Sequence, residues 1–506
     1  MIRTSQLVGL FVGGLIAVGC IAWDSDRTTF CAANPTVAEC GGATGGGAAT
    51  GGGAVTGGGA NTGGGGATGG GGGADAGPPC DAAEQPGSGV FVSVNGGNDA
   101  TTDASAATPA RTIGHAVTLA RSLGLSVVYV DEGRYFENLI IPAGGPLVIR
   151  GGWKLSGLTW SRDCSADHRS LTALITTPEV GVQVASPQAP SGLRDLSIAM
   201  SAVPNAAADA PGASSIGVLV RGGQFELWNV SVVTRAAAAG GAASPRADPG
   251  ARACSGSTDC QDGRPGLDAT TPAASSDGGV FTSTGFVPGS GSTGSPGPDG
   301  HNGADGGFGS SSSGCYGPCS CTVNNCDNGG TQTTVTAGAG LCGCGGRGGL
   351  PGNPGRGGGA SVALVALEGA EVAVRWSELR ADVGGAGSAG GASTRGTPTS
   401  GTPGASTTCT TQACVAGGAC PSTGCYPGGN PNYVPLAVAG GPQGGVGGAG
   451  GLGQRGGDGA GGPSHAIARL GASQVTVDEH SVLSNRDGGL GAGSASSGRA
   501  ELIGAY

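Results

Sequence analysis

The sequence predicts an all-β fold, a parallel β-helix in which short coils stack into a solenoid. Apolar runs of strand length, such as 90–94 and 127–130, follow one another closely along the chain. One helical spacing of apolar residues, from Ile113 to Leu123, stands near the start, where the first coil needs a cap. A Leu-x-Asx-apolar-Ser-apolar pattern recurs at 193–198 and 227–232, and stacked coils predict such an internal repeat.

Each copy of the repeated pattern follows an alternating strand, and similar segments continue towards the C-terminus. The strands and segments of this series are 180–184, 216–220, 362–379 and 466–483. We expect Asp195 and Asn229, the Asx residues of the pattern, to stack between coils and to bond to backbone groups at a turn. A sandwich of two antiparallel sheets, which short strands also fit, is the alternative.

Residues 92–149 carry a recognisable order of motifs. A Gly-Gly-Asn-Asp loop is followed by Thr-Ile at 112–113, by Val-Tyr-Val-Asp-Glu-Gly-Arg-Tyr at 128–135, and by Glu-Asn at 137–138. In this order the motifs resemble the opening of bacterial pectin-lyase-like right-handed β-helix proteins. The resemblance implies a right-handed solenoid with a short N-terminal capping helix. Polysaccharide lyases and hydrolases on this fold use clustered carboxylates on one strand face.

The first residues have the layout of a secretory signal. Arg3 precedes an apolar run over 7–18, which is too short to span a bilayer. Residues 15–20 resemble the bacterial lipobox, and this resemblance implies a lipid on Cys20, anchoring in a membrane, and sorting to the outer membrane or cell surface. Ordinary cleavage just before Cys20, which then stays a thiol or disulfide partner, is the alternative.

Composition divides the rest of the chain into regions that can pack and regions that cannot. Residues 41–77 repeat a hexad of threonine followed by glycines, which buries nothing and predicts a flexible tether. The predicted organisation is a lipoprotein signal peptide (1–19), a Gly/Thr-rich tether (20–88), the N-terminal part of the β-helix (89–235), a Gly/Cys-rich insertion (236–359), a β-helix rung (360–383), a second Gly/Cys-rich insertion (384–463) and a C-terminal β-helix rung (464–506).

The cysteine pattern predicts disulfides. The chain has 17 cysteines, and a lipid on Cys20 leaves an even remainder for an oxidising compartment. Clustering suggests local pairs of Cys31 with Cys40 and of Cys254 with Cys260. The disulfide candidates are Cys31, Cys40, Cys80, Cys164, Cys254, Cys260, Cys315, Cys319, Cys321, Cys326, Cys342, Cys344, Cys409, Cys414, Cys420 and Cys425. Zinc ligation is the competing interpretation, but the spacings lack the paired CxxC of zinc modules, so no metal site is predicted.

Glycine recurs at every third position in several tracts, chiefly 291–309, 340–358 and 441–462. A period of three is the signature of a left-handed extended helix with one bare face. We expect several tracts to pack side by side within the chain through their glycine faces, with nearby cysteines as staples. Plain disorder is the alternative.

The long interruptions of the predicted coils all begin after the same strand, so we expect them to leave from one side of the solenoid. Their ranges are 201–214, 235–359, 381–463 and 485–498. Loops gathered on a rigid scaffold are the usual place for contacts with a partner. This side is therefore the expected contact surface towards extracellular polysaccharide, envelope components or neighbouring cells.

No constellation of residues predicts catalysis, and no cofactor is expected. Outward positions of the predicted strands are mostly Ser, Thr, Gln, Arg or Ala, and the acidic residues on them do not recur in register. Asp478 and His480 would share a strand face, as a surface polar pair rather than a catalytic dyad. A net charge of −10 gives no footprint for nucleic acid. The expected function is a non-catalytic, structural or adhesive lipoprotein, with a polysaccharide lyase or glycoside hydrolase as the alternative.

Overall fold

The structure is a computed structural model that describes residues 80–165, 168–254, 259–316, 320–322, 325–327, 332–410 and 435–506. The described residues are mostly β, with large sheets of parallel strands and short helices, α1 (Ile113–Leu123) and α2 (His168–Leu171). Neither of these helices is long and apolar enough to cross a membrane. The predicted signal peptide and most of the predicted tether lie outside the described residues.

The larger of the main sheets, sheet A, has twelve strands. They are β1 (Val90–Val92), β2 (Val127–Asp131), β3 (Gly133–Phe136), β5 (Val148–Ser156), β6 (Thr159–Arg162), β7 (Thr172–Thr176), β9 (Gly192–Met200), β11 (Gln224–Val233), β19 (Glu371–Arg375), β20 (Glu378–Arg380), β24 (Gln474–Val477) and β25 (Val482–Ser484). All neighbours pair in parallel except β5 and β6, which form an antiparallel hairpin.

The second main sheet, sheet B, has six strands, all parallel. They are β4 (Leu139–Ile141), β8 (Val180–Ala185), β10 (Ser215–Arg221), β18 (Ser361–Leu367), β23 (Ser464–Arg469) and β26 (Ala500–Ala505). Along the chain each strand of sheet B from β4 to β23 is followed by one to three strands of sheet A before the next strand of sheet B. This parallel alternation contradicts the antiparallel sandwich.

Apolar side chains in register fill the space between the sheets. Val182, Val218, Leu364 and Ile467 are neighbours on successive strands of sheet B, and all are fully buried. They join the corresponding side chains of sheet A, such as Leu227, in one core. Repeats that lie far apart in sequence thus share one column of buried side chains, which fixes the register of the sheets.

A left-handed residue stands at the bend inside sheet A in successive repeats. Asp195, Asn229 and Trp376 have φ of 55°, 52° and 53°. Strand β11 pairs with β19 before Asn229 and with β20 after it. Asn229 Nδ2 donates to Asp195 Oδ1 at 2.8 Å. The expected stacking of Asx side chains is therefore confirmed, and at these two positions short polar side chains suit the left-handed backbone region. The expected bonds to backbone groups at a turn are wrong, because these side chains bond to each other and to the side chains of Arg162 and His168.

Helix α1 has the predicted bounds and covers one end of the core. Ile113, Ala116, Val117 and Ala120 are buried, whereas Leu123 is exposed. The carboxylate of Glu137 accepts the backbone N–H groups of Ile113 and Gly114, both at 2.8 Å, and so caps the helix N-terminus. Burial nevertheless raises the pKa of Glu137 above its ordinary value.

The remaining strands lie within the long interruptions. They are β12 (Val280–Thr282), β13 (Gly285–Val287), β14 (Ser311–Tyr316), β15 (Ser320–Thr322), β16 (Asn325–Asp327), β17 (Gln332–Thr336), β21 (Thr407–Thr410) and β22 (Pro435–Val438). The hairpin of β12 and β13 places Phe286 on Ile216, Leu219 and Val362, which belong to the outer face of sheet B. The expectation of polar outward positions is thus wrong for sheet B, because an insertion covers that face.

Candidate functional site

The interruptions leave the sheets at stacked positions. Ala199, Val233, Arg380 and Ser484, near the strand ends that precede the interruptions, are neighbours in register across β9, β11, β20 and β25. The expectation that the insertions leave from one side is confirmed. Their glycine tracts then come together, and we call this part the glycine-tract body, formed by 207–213, 237–252, 261–276, 289–309, 337–360, 384–405, 439–463 and 485–498.

Backbone hydrogen bonds with a period of three hold the tracts of this body together. The N–H groups of Gly294, Gly297, Gly300 and Gly303 donate to the carbonyls of 352, 349, 346 and 343, so these tracts run antiparallel. In turn, the N–H groups of 343, 346, 349, 352, 355 and 358 donate to the tract 445–460. The predicted side-by-side packing is confirmed, and this order contradicts plain disorder for these tracts.

Glycine is required where one tract meets another. A Cβ on Gly456 would lie 1.9 Å from the carbonyl oxygen of Asn353, and a Cβ on Gly349 would lie 1.8 Å from that of Thr394. No side chain fits at such distances, so every third residue must be bare for the carbonyls and N–H groups to pair. The large apolar side chains of the body, such as Leu267 and Phe308, are exposed, and its buried side chains include the polar Asn302 and Asp458, so its described residues form little apolar core.

Disulfides tie the tracts to one another. Cys254 pairs with Cys344 and Cys260 with Cys342, across 90 and 82 residues of sequence. The expected local pair of Cys254 with Cys260 is wrong, because the antiparallel tracts bring each cysteine beside one on the neighbouring tract. The expectation of cysteine staples between tracts is confirmed for these pairs.

A further disulfide joins Cys80 to Cys164, 84 residues apart, and links the start of the described chain to the loop after β6. The predicted lipidation site Cys20 lies outside the described residues, as do the disulfide candidates Cys31, Cys40, Cys319, Cys414, Cys420 and Cys425. For Cys315, Cys321, Cys326 and Cys409 the structure describes the backbone alone.

The outer face of sheet A carries a groove of about 400 Å³, which we call the outer groove. Its residues come from five neighbouring strands and from the turn before β9, and none belongs to the glycine-tract body. They are Val148, Ala189, Pro190, Ser191, Gly192, Arg194, Gln224, Phe225, Glu226, Glu371, Val372, Ala373, Arg375, Gln474 and Thr476.

Paired polar side chains line the outer groove. Glu226 accepts from Arg194 at 2.7 Å and lies 3.5 Å from Arg375 Nε, so one carboxylate holds two guanidinium groups. Gln224 Nε2 donates to Glu371 Oε2 at 2.9 Å. These acidic residues, Glu226 and Glu371, stand on adjacent strands, although β11 and β19 are separated by a long insertion. Sequence reasoning missed this groove because its residues are brought together only by the register of the sheet.

Asp195 is the centre of a buried polar cluster behind this face. It pairs with Arg162 and with His168, whose Nε2 lies 3.2 Å from Asp195 Oδ1, and it accepts from Asn229. Burial opposes its charge, but the hydrogen bond from His168 and the charge of Arg162 hold the pKa of Asp195 below its ordinary value. The hydrogen bond to Asp195 raises the pKa of His168. This cluster fixes the bend in sheet A.

Asp478 and His480 do not share a strand face, since β24 ends at Val477. The Asp478 carboxylate accepts from the backbone N–H of Trp376 and from Ser481 Oγ, and the His480 ring stacks on Trp376 with centroids 3.7 Å apart. The strand placement was wrong, and both side chains serve a turn. Within the described part of the chain, no group of three or more His, Cys, Asp and Glu side chains is arranged to hold a metal ion.

The outer groove and the glycine-tract body are two surfaces of the described residues that differ in composition. The first lies on parallel strands and is lined by both apolar and polar side chains. The second is a bundle of glycine tracts fastened by disulfides, with exposed apolar side chains such as Leu267 and Phe308. Comparison of the chain with family models, with curated proteins and with solved structures found no match.

Proposed function

We propose that this chain is a non-catalytic, lipid-anchored surface protein with a structural or adhesive role, built on a right-handed parallel β-helix. The parallel strands that alternate between sheets A and B, the stacked left-handed residues and the helical cap support the β-helix. The resemblance of residues 92–149 to pectin-lyase-like proteins supports its right hand. In this proposal the glycine-tract body is the contact surface towards extracellular polymers or neighbouring cells.

The anchor in this proposal is a lipid on Cys20, and it rests on the sequence at 15–20. The glycine-rich tether that follows would let the folded part reach beyond the membrane surface. Changing Cys20→Ser should release the protein from the membrane fraction of expressing cells. Unchanged partition of the variant with membranes would remove the anchor from the proposal.

One observation carries the contact role: insertions from four places in the sequence join into one hydrogen-bonded body instead of hanging as separate loops. A body held by backbone bonds and disulfides keeps its outward side chains in fixed positions, which lowers the entropy cost of binding a partner. Several of these side chains are apolar and exposed, including Leu267 and Phe308, which are 81 % and 91 % exposed.

The test is attachment of the full chain to whole cells and to isolated extracellular matrix. The variant Leu267→Ser/Phe308→Ser should attach less while keeping the circular dichroism spectrum and thermal midpoint of the parent. Leu158→Ser is the matched control, since Leu158 is 75 % exposed but lies between β5 and β6, outside the body. A second variant lacking 236–359 and 384–463 should lose attachment altogether. If that variant remains folded and attaches as well as the full chain, the insertions are spacers and the contact role is wrong.

The alternative is a polysaccharide lyase or glycoside hydrolase, and the outer groove is the observation that favours it. Glu226 and Glu371 are acidic residues on adjacent strands within one groove, as paired carboxylate chemistry requires. However, Glu226 is already engaged by Arg194 and Arg375. Incubation of the full chain with uronate and neutral polysaccharides, followed by detection of unsaturated products and reducing ends, separates the alternatives. Product formation that Glu226→Gln abolishes would establish the enzyme.

A further inference from the structure

We propose that the glycine-tract body binds the glycine-tract body of a second copy of this chain, through an antiparallel contact centred on Gly266. This proposal rests on the proposed function, because it names the partner of the same contact surface. We call residues 262–268, which form the contact, the edge strip.

Charge is balanced in the glycine-tract body, whereas the chain as a whole is acidic. The body contains eight arginines and eight aspartates and neither lysine nor glutamate, so the net charge of −10 lies on the rest of the chain. The acidic remainder of one copy repels that of another. A surface without net charge that exposes apolar side chains favours association. The body is therefore the part through which two copies can approach each other.

The edge strip lies at the outside of the body and presents two of every three residues to solvent. The N–H groups of residues 263, 266 and 269 donate to neighbouring tracts, so every third residue faces inward. The residues between these positions, such as Pro265 and Leu267, are exposed. Their side chains are available to a partner without any change in the body.

The sequence Arg264-Pro265-Gly266-Leu267-Asp268 is complementary to itself when two strips run antiparallel. A two-fold axis at Gly266 brings Arg264 of each copy to the level of Asp268 of the other, and Leu267 of each copy close to Pro265 of the other. In a parallel pair each charge would meet its like. The charges of the strip therefore select the antiparallel contact.

Both charged groups of the strip are held in place yet remain exposed. Arg264 Nε lies 2.8 Å from Asp262, and the Arg264 side chain is 78 % exposed. Asp268 accepts from Arg395 at 2.7 Å and from the backbone N–H of Leu452 at 2.8 Å, and its side chain is 54 % exposed. Because these bonds already restrain the side chains, little order is lost when a second copy binds.

The size of the contact makes a single pair weak. At about 3.1 Å per residue, the described overlap of residues 261–271 with the same residues of a second copy is roughly 34 Å long. A strip of this length buries less surface than a stable dimer requires. Many copies on two facing surfaces engage at once, and their contacts reinforce one another. The strip thus suits contact between surfaces that carry the same chain, rather than a dimer in dilute solution.

Aggregation of beads that carry the purified full chain, coupled at its N-terminus, tests this proposal. Beads with the parent chain should aggregate. Arg264→Glu and Asp268→Arg each place like charges at both paired positions, so beads with either variant alone should stay dispersed. A mixture of the two kinds of bead restores opposite charges at both positions and should form clusters that contain both, which different dyes distinguish.

Arg111→Glu is the matched control, because Arg111 is exposed and lies outside the body, and its beads should aggregate like those of the parent. Dispersed parent beads overturn the proposal, and so does equal aggregation of the parent and both strip variants. A mixture that stays dispersed also overturns it, if circular dichroism and the thermal midpoint show both variants to be folded.

Arg264→Gln/Asp268→Asn decides the matter if a charge reversal disturbs the fold, since asparagine keeps an acceptor for the Leu452 N–H. This variant should also lose aggregation, and retained aggregation would overturn the proposal. Attachment to isolated matrix, measured on the same chains, separates this proposal from the proposed function. A parent chain that attaches to matrix but does not aggregate beads keeps its contact role and loses only the second copy as partner.

Discussion

The two main sheets and the glycine-tract body reach order in opposite ways. In the sheets, side chains such as Val218 and Leu364 are fully buried between strands, so apolar burial holds the repeats together. In the body, N–H and carbonyl groups pair directly from tract to tract, and at most of these contacts a glycine leaves room for the close approach. The chain therefore depends on side-chain volume in one region and on its absence in the other.

This difference predicts opposite responses to a change of one methyl group. Removing carbon atoms from the sheets leaves a cavity, whereas adding one carbon atom to a glycine face pushes tracts apart. It also predicts different responses to reduction. The apolar core of the sheets should survive reduction, while the body buries little apolar surface and should depend on its disulfides.

The largest effect is expected from removing both disulfides of the body. Cys254→Ser/Cys260→Ser/Cys342→Ser/Cys344→Ser opens a loop of more than eighty residues, for which the chain-entropy estimate is about 4 to 5 kcal/mol. We expect amides of the tracts 289–309 and 439–463 to exchange much faster in this variant, with little change for amides of sheets A and B. Hydrogen exchange read by mass spectrometry measures both regions in one experiment.

Removing one of these disulfides is the matched control. Cys254→Ser/Cys344→Ser leaves Cys260–Cys342 in place, so only a short nested loop is released. The effect on exchange should be a small fraction of that in the quadruple variant. Equal exchange in both variants would show that one particular bond, rather than loop closure, stabilises the body.

The next effect concerns the core of the sheets. Leu364→Ala removes a fully buried side chain that lies in register between Val218 and Ile467. It should lower the free energy of unfolding by about 2 to 5 kcal/mol, since such a site cannot collapse fully around the cavity. Urea unfolding followed by circular dichroism measures this value. A change below about 1 kcal/mol would mean that the core does not carry the stability of the sheets.

A smaller effect of the opposite kind is expected in the body. Gly456→Ala places a Cβ 1.9 Å from the Asn353 oxygen and should cost about 1 to 3 kcal/mol, because the tracts must separate. Gly391→Ala is the control on a neighbouring tract, where the nearest atom to a Cβ would be Asn353 N at 3.2 Å. Exchange of tract amides should rise in the first variant and change little in the second. Similar behaviour of both would contradict close backbone packing.

Local sequence signals predicted those parts of the fold that are coded locally. The bounds of α1 follow from apolar spacing between Thr112 and Gly124, and the stacked Asp195 and Asn229 follow from the repeated pattern. The glycine period of three predicted extended tracts that pack on each other. These features need only the residues of one segment and a general rule of geometry.

The outer groove and the disulfide partners were not predictable in this way. Gln224 and Glu371 meet across 147 residues, and Cys254 meets Cys344 across 90. Which strand or tract lies next to which depends on the register of the whole assembly, and no local pattern encodes it. The cover that Phe286 provides over sheet B was missed for the same reason.

The smallest expected effect, a dependence of stability on pH, comes from the buried cluster that fixes the bend of sheet A. His168 Nδ1 donates to the Ser165 carbonyl at 2.7 Å, so the neutral ring carries its proton there and Nε2 accepts from Asn229. A second proton, at Nε2, allows donation to Asp195, and this hydrogen bond raises the pKa of His168 although Arg162 opposes the added charge.

Because the pKa of His168 is raised on folding, its contribution to stability is complete below the ordinary value of 6.5 and is lost as pH rises through the raised value. The pKa of Asp195 is lowered, so its contribution is present above the ordinary value of 3.8 and is lost as pH falls through the lowered one. The cluster should therefore stabilise the fold most between pH 3.8 and pH 6.5, where Asp195 is charged and His168 is protonated. The loss at higher pH is small, since Asn229 still bonds to the neutral ring.

We expect the thermal midpoint to fall from pH 6 to pH 8, and to fall less in His168→Gln. His115→Gln, a histidine change outside the cluster, should retain the dependence of the parent chain. An unchanged pH dependence in His168→Gln would show that the bend is held by Asp195, Arg162 and Asn229 alone.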